Sequence, residues 1–131
     1  LQDVLKVKTQ MDSGMFYAIQ KGAIAALEMN LEWFHEMNDV YEARRKLIWK
    51  LADLLHCTYD TNRSGLFVWA KLPDKQDSET FIDELLYKEN IFVAPGSIFG
   101  SNGEGYIRFS LCVSLNKIEE ALKRIQKGTP L

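Results

Sequence analysis

The chain contains little cysteine, and its two cysteines are not arranged for a site. Cys57 and Cys112 lie far apart, outside any CxxC spacing and without a neighbouring pair of histidines. This arrangement supports neither a zinc site nor a disulfide framework. It favours two buried thiols in a protein of the reducing cytoplasm.

An excess of one charge and a long apolar run are also missing. The 16 basic and 18 acidic residues give a formal net charge of −2, which is not the charge pattern of a protein that binds nucleic acid or an anionic membrane. No signal peptide and no apolar run of membrane-spanning length is present. We therefore expect a cytoplasmic location, with neither nucleic acid nor a membrane as partner.

The common catalytic motifs are absent as well. No serine lies in a GxSxG turn, and His35 and His56 have no partner at metal-ligand spacing. Residues 100–105 have the spacing GxxGxG but precede a strand, whereas a phosphate loop leads into the N-terminus of a helix. Taken alone, these features predict a binding or supporting domain without a metal site.

Apolar spacing predicts seven elements in the order helix, helix, strand, helix, strand, strand, helix. The first eleven residues resemble a connecting segment or a short helical turn, and Asp12 and Ser13 offer N-cap side chains for the first helix. The predicted helices cover residues 15–29, residues 38–56, the segment between a cap at Ser78 and an exit at Asn90, and the segment from a capping box at Asn116 and Glu119 to Gly128. The segment 31–37 either continues the first helix or bends between the first two, with breaks at Asn30 or Asn38.

The predicted strands cover residues 66–72, 91–94 and 106–113. Apolar residues on both faces of segment 66–72 indicate an inner strand. The pattern predicts an α+β fold with a small three- to four-stranded sheet and helices packed on one side. With 131 residues and no internal linker, we expect one domain over residues 1–131.

Arg108 is the candidate functional residue. It lies in the strand of residues 106–113 behind a glycine-rich loop, and on the opposite face from Ile107 and Phe109. A guanidinium held this way can bind a carboxylate through two parallel hydrogen bonds. The alternative from the sequence is a structural ion pair with a nearby acid such as Glu104.

Five segments in order resemble the fold-type-I aminotransferases of class I and II. They are DSGMF with the alanine-rich residues 23–27, Tyr41 with Arg44 and Arg45, GLFVW at 65–69, PGS-FG at 95–100, and GYIRFSL at 105–111. The resemblance covers nearly the whole chain, and is greatest to the subgroup of aspartate, alanine and LL-diaminopimelate aminotransferases. It implies the small carboxy-terminal domain of such an enzyme, joined to a large domain through residues 1–14.

The resemblance implies a function for Arg108. In the family, the arginine of this strand binds the α-carboxylate of the substrate, and the small domain closes over pyridoxal 5′-phosphate. By the same resemblance the intact protein is a homodimer that acts on an amino acid and a 2-oxo acid. A fixed carboxylate would orient the substrate for reaction.

The sequence also departs from the family. The Schiff-base lysine, the aspartate that pairs with the pyridine nitrogen and the phosphate-binding loop have no counterpart here, and would precede Leu1. We therefore expect a fragment that has no catalytic residue, binds no cofactor by itself and is inactive alone. The alternatives are a domain of a pyridoxal-dependent carbon–sulfur lyase and an aminotransferase-like domain of a transcription regulator.

Overall fold

The structure, a computed structural model, describes residues 1–11, 14–73 and 76–128. The chain divides into two compact units, Leu1–Glu36 and Met37–Leu131. The helix α3, Leu31–Leu54, begins in the first unit and ends in the second. Within the described residues, no helix has the length and apolar character needed to cross a membrane.

The first unit is helical. It contains α1, Gln2–Met11, α2, Tyr17–Leu27, and the start of α3, and no residue of α1 or α2 is buried. The first eleven residues, expected to be a connecting segment or a short helical turn, thus contain the ten-residue helix α1. The predicted caps Asp12 and Ser13 lie outside the described residues.

The start of α3 shows which of the two candidate breaks is used. The side-chain oxygen Oδ1 of Asn30 accepts a hydrogen bond from the backbone N–H of Trp33 at 3.1 Å, which is the geometry of an N-cap. The helix therefore begins at Leu31 and passes through Asn38. The predicted start near residue 38 is wrong, because Asn30 satisfies the amide groups that a helix leaves unpaired.

The second unit is an antiparallel sheet of four strands in the order β1-β2-β4-β3. The strands are β1, Thr58–Tyr59, β2, Phe67–Lys71, β3, Ala94–Pro95, and β4, Tyr106–Ser110. The helices that accompany them are α4, Ser78–Glu89, and α5, Leu115–Lys127. The predicted α+β class with a small sheet is confirmed, and β2 is an inner strand as predicted.

One face of the sheet carries the core. Val68 and Ala70 of β2 and Ile107 and Phe109 of β4 are at most 5% exposed, because alternate residues of a strand point to the same side. They pack with buried residues of α3, α4 and α5, among them Leu51, Ala52, Phe81, Ile82, Leu85, Ile118 and Leu122. The opposite face of β2 is exposed.

Several predicted boundaries are wrong in detail. Residues 91–93 are not a strand, since the pairing with β4 involves Ala94 and Pro95. The strand β4 ends at Ser110 rather than at residue 113. Thr58 and Tyr59, which none of the predicted strands covers, pair with β2.

The helix caps are partly as predicted. Asn90 is the C-cap of α4, and its backbone is in the left-handed region with φ of 54°. This confirms the prediction that the helix ends at Asn90. The N-cap of α4 is Asp77, whose carboxylate accepts from the N–H of Thr80, and Ser78 is the first helical residue. The capping box at Asn116 is wrong, because Ser114 occupies the N-cap position of α5.

The two cysteines differ in their surroundings. Both are free thiols. Cys57 is buried as expected, and this burial raises the pKa of its thiol to about 12. Cys112 is exposed, so the expectation of a second buried thiol is wrong.

The loop before β4 depends on two glycines in backbone contact. It forms two short 3₁₀ turns, Gly96–Phe99 and Ser101–Gly103. A Cβ atom on Gly96 would lie 2.0 Å from the carbonyl oxygen of Gly103 and 2.7 Å from that of Tyr106. Only a residue without a side chain allows this approach.

We predict that Gly96→Ala lowers the free energy of unfolding by about 3 kcal/mol, because the backbone of the loop must move to admit a methyl group. The matched control is Gly22→Ala in α2, where a Cβ atom would contact nothing within 4 Å. Gly22→Ala should raise the free energy of unfolding by about 0.5–1 kcal/mol, since alanine is the better helix former. Urea unfolding measures both values, and equal stability of the two variants would contradict the close contact.

Candidate functional site

The exposed face of the sheet places Arg108 among aromatic rings. Arg108 is directly opposite Trp69 in the β2–β4 register, and Phe67 lies diagonally from it, opposite Ser110. Side chains of such neighbours on the same face can reach each other. Arg108 itself is half-buried, while Phe67 and Trp69 are exposed.

Two phenylalanine rings contact the guanidinium of Arg108. The carbon Cζ of Arg108 lies 4.2 Å from the ring centroid of Phe67 and 4.2 Å from that of Phe99. Both distances are well within the range of a cation–π interaction. We call this arrangement the Phe67–Arg108–Phe99 stack.

Further ring contacts hold the stack in place. The indole of Trp69 is stacked on the ring of Tyr106 with centroids 5.5 Å apart and an interplanar angle of 15°. The same indole meets the ring of Phe99 edge-on at 5.7 Å and 70°. Phe99 is therefore fixed from the side of Trp69 as well as by the glycine loop that carries it.

Among the described residues, Arg108 does not form the ion pair that the sequence offered as its alternative interpretation. No hydrogen bond or ion pair of Arg108's side chain occurs within the described part of the chain. The carboxylate Oε1 of Glu104 instead accepts from the backbone N–H of Ser78 at 2.8 Å and from that of Gly105 at 3.0 Å. These two hydrogen bonds hold the pKa of Glu104 below its ordinary value.

Two arginines of α3 connect the ends of the central strands. Nη1 of Arg44 donates to the carbonyl oxygen of Leu111 at 3.0 Å, just beyond β4. Arg45 donates to the carbonyl oxygen of Gly65 at 2.6 Å and to that of Arg63, just before β2. The Tyr-Arg-Arg segment of the sequence thus has a structural function, since it fixes both strands that carry the stack.

A cavity of about 500 Å³ borders Arg108 along β4, residues 90–94 and α5. Its charged lining residues are Arg108, Lys117, Glu120 and Arg124. Arg124 is engaged by Glu120 and by the carbonyl oxygen of Asn90. The remaining cations give the cavity a local positive charge that favours an anionic group.

In the loop of residues 96–105, three backbone amides are not available to a phosphate. Its backbone N–H groups donate within the loop, from Gly100 to Ser97, from Gly103 to Gly100 and from Glu104 to Ser101. No donor of these three residues is left for an anion. The described residues also contain no group of three or more side chains that could hold a metal ion, so His35 and His56 are not brought into such a site.

The sequence identified Arg108 but not its two aromatic neighbours. Phe67 could have been found from its position two residues before Trp69, because both then share the face of β2. Phe99 had no such signal. Its place depends on the packing of two 3₁₀ turns, which no periodic pattern reveals.

Comparison with known proteins gives concordant matches. A family profile described as aminotransferase class I and II matches residues 2–125. Among curated proteins, the LL-diaminopimelate aminotransferase of Maridesulfovibrio salexigens is 35% identical over 122 residues, which are 93% of this chain and 31% of that protein. The protein of the same name from Oleidesulfovibrio alaskensis is 38% identical over 92% of this chain and 31% of its own.

Solved structures agree with these sequence matches. Apo-BacF from Bacillus subtilis has a TM-score of 0.78 and 31% identity, over 98% of this chain and 34% of that one. L,L-diaminopimelate aminotransferase from Chlamydomonas reinhardtii has a TM-score of 0.80 and 25% identity, over 96% of this chain and 31% of that one. The chain spans about a third of the length of the curated relatives it matches.

The carboxylate of Glu104 gives a pH-dependent prediction. Its pKa is lowered from the ordinary value of 4.5, so its contribution to stability is present above that value and is lost as the pH falls through the folded-state pKa. We predict that Glu104→Gln lowers the free energy of unfolding at pH 7, and that the difference from the unmodified chain shrinks towards pH 3. Urea unfolding across this range measures it.

The control for this prediction is Glu119→Gln on α5, since no side-chain hydrogen bond of Glu119 occurs within the described ranges. It should change stability little at any pH. A Glu104→Gln difference that is the same at pH 7 and pH 3 would show that the carboxylate is not held by the two amides.

Proposed function

Since the chain belongs to the class I and II aminotransferase family, we propose that Arg108 binds the α-carboxylate of an amino-acid substrate. The observation that carries this proposal is the Phe67–Arg108–Phe99 stack, in which a cation with no acidic partner among the described residues is held on the open sheet face. A half-buried arginine without a carboxylate partner is suited to receive one from a ligand. Its strand is fixed by five paired residues of β2.

The guanidinium is well suited to both halves of amino-group transfer. The amino acid that donates the group and the 2-oxo acid that accepts it carry the same carboxylate next to the reacting carbon. One bidentate contact with Arg108 can therefore orient either molecule. The chain's own residues bind and orient, and none of them is assigned a proton-transfer step.

Pyridoxal 5′-phosphate is the cofactor of the family, and we assign none of the described residues to it. The backbone N–H groups of Gly100, Gly103 and Glu104 already donate to carbonyl oxygens of their own loop. Lys71, on the same face as Arg108, is opposite Tyr106 at the far end of the β2–β4 ladder, and it is exposed to solvent. We propose that other parts of the intact enzyme hold the cofactor, and we derive no step through it.

The names of the relatives suggest a substrate. LL-diaminopimelate aminotransferases are prominent among the curated matches, and we propose LL-diaminopimelate as the first amino donor to test. The second carboxylate of such a donor would require a further cation. Arg108 is assigned to the carboxylate next to the reacting amine.

We also propose the setting in which the domain acts. Residues 1–131 would form one functional domain whose first 14 residues connect it to the rest of a homodimeric enzyme. The near-neutral charge and two free thiols support a cytoplasmic enzyme that binds neither nucleic acid nor a membrane.

We predict that Arg108→Lys in the intact enzyme raises KM for the amino donor and lowers kcat/KM roughly 30-fold. This factor corresponds to a loss of about 2 kcal/mol of transition-state stabilisation, because the bidentate charged contact is lost. Steady-state assays with LL-diaminopimelate and a panel of amino acids, each with a 2-oxo acid acceptor, measure the change.

The matched control is Arg63→Lys. Arg63 is an exposed arginine whose side chain is paired with Asp60, so this change should leave kcat/KM within about twofold, as expected for an exposed ion pair. Full activity of Arg108→Lys on every substrate that the unmodified enzyme accepts would rule out carboxylate binding by Arg108.

A further inference from the structure

Resting on the proposed function, we infer that Phe67 and Phe99 are positioning residues that orient the guanidinium of Arg108 for the substrate carboxylate. The inference comes from the geometry of the stack. The two ring centroids are at the same distance of 4.2 Å from Cζ of Arg108. A side chain in contact with two rings has lost part of its freedom before any ligand arrives.

The stack leaves the binding groups of the arginine available. The N–H groups of a guanidinium lie in its plane and point outwards from its edge. A cation–π contact does not give these N–H groups an oxygen acceptor, and no oxygen acceptor for them occurs among the described residues. They are therefore available for the two parallel hydrogen bonds that a carboxylate accepts. An acidic partner would instead occupy that edge.

Orientation of the Arg108 side chain before the substrate binds should increase substrate affinity. An arginine side chain loses rotamer entropy when it is fixed. Where the rings have already fixed it, that loss does not weaken the binding of the substrate. Removal of one ring should therefore reduce substrate affinity without removing the charge.

Packing of the core does not explain these two phenylalanines. Phe67 is 44% exposed and Phe99 48% exposed, so neither ring is a core residue. Phe67 is placed by β2, and Phe99 by the glycine loop and its edge contact with Trp69. A shortened side chain at residue 99 is thus compatible with the fold.

The experiment is a double-mutant cycle in the intact enzyme that contains this chain. The four proteins are the unmodified enzyme, Phe99→Leu, Arg108→Lys and the double variant. We expect Phe99→Leu alone to raise KM for the amino donor and to lower kcat/KM about tenfold, as for a cation–π contact between the exposed and the desolvated limits. In the Arg108→Lys background, the same change should lower kcat/KM by less than threefold.

Three further variants separate positioning from a structural effect. Phe99→Tyr keeps the ring and should restore kcat/KM to within about twofold. Phe67→Leu removes the other ring and should behave like Phe99→Leu. The control Tyr87→Leu removes an exposed aromatic ring of α4, 80% exposed, and should leave kcat/KM unchanged. Urea unfolding of each variant shows whether it remains folded.

The outcomes are distinct. If Phe99→Leu lowers kcat/KM by the same factor in the unmodified and the Arg108→Lys enzymes, Phe99 acts independently of Arg108. That result would overturn the inference. No effect of Phe99→Leu and Phe67→Leu, together with a large effect of Arg108→Lys, would overturn it while the proposed function stands. An Arg108→Lys enzyme with full activity would overturn the proposed function, and the inference with it.

Discussion

The antiparallel pairing of β2 with β4 is the constraint on which both the core and the candidate site depend. Five residue pairs fix the register, with Trp69 opposite Arg108. In this register Ile107 and Phe109 enter the core, and Arg108 faces the open side. A slip of one residue would exchange the two sets, burying a cation and exposing two large apolar side chains. The hydrophobic core therefore determines the side on which the guanidinium appears.

The sequence was informative where one periodic pattern decided the structure. The alternation in GYIRFSL predicted a strand and the face of Arg108, and both are confirmed. It was less informative where two local signals competed. Asn30 and Asn38 were equal candidates for a helix boundary, and only the hydrogen bond to Trp33 distinguishes them. The two-residue strand β3 has no pattern of its own, because pairing with β4 defines it.

The partners of Arg108 show the limit of reasoning from sequence distance. Glu104 is four residues away and was the natural candidate for an ion pair, yet it accepts from the N–H of Ser78. The first turn of a helix has unpaired N–H groups and a partial positive charge, so α4 competes for the same carboxylate. Phe67 is 41 positions from Arg108 in the chain and becomes its neighbour through strand register alone. Such contacts follow from topology rather than from local pattern.

A cation held by rings differs from a cation held by an acid in a way that matters for binding. A carboxylate partner would orient Arg108 but would also neutralise it and occupy its donors, so that a ligand would have to displace it. Aromatic faces attract the cation through their quadrupole and leave its net charge intact. The orienting contact then uses the charge of the guanidinium, and its N–H groups are left for the binding contact. The hydrogen bond from the Ser78 N–H to Glu104 is consistent with this separation, because that carboxylate already has its acceptor oxygen engaged at α4.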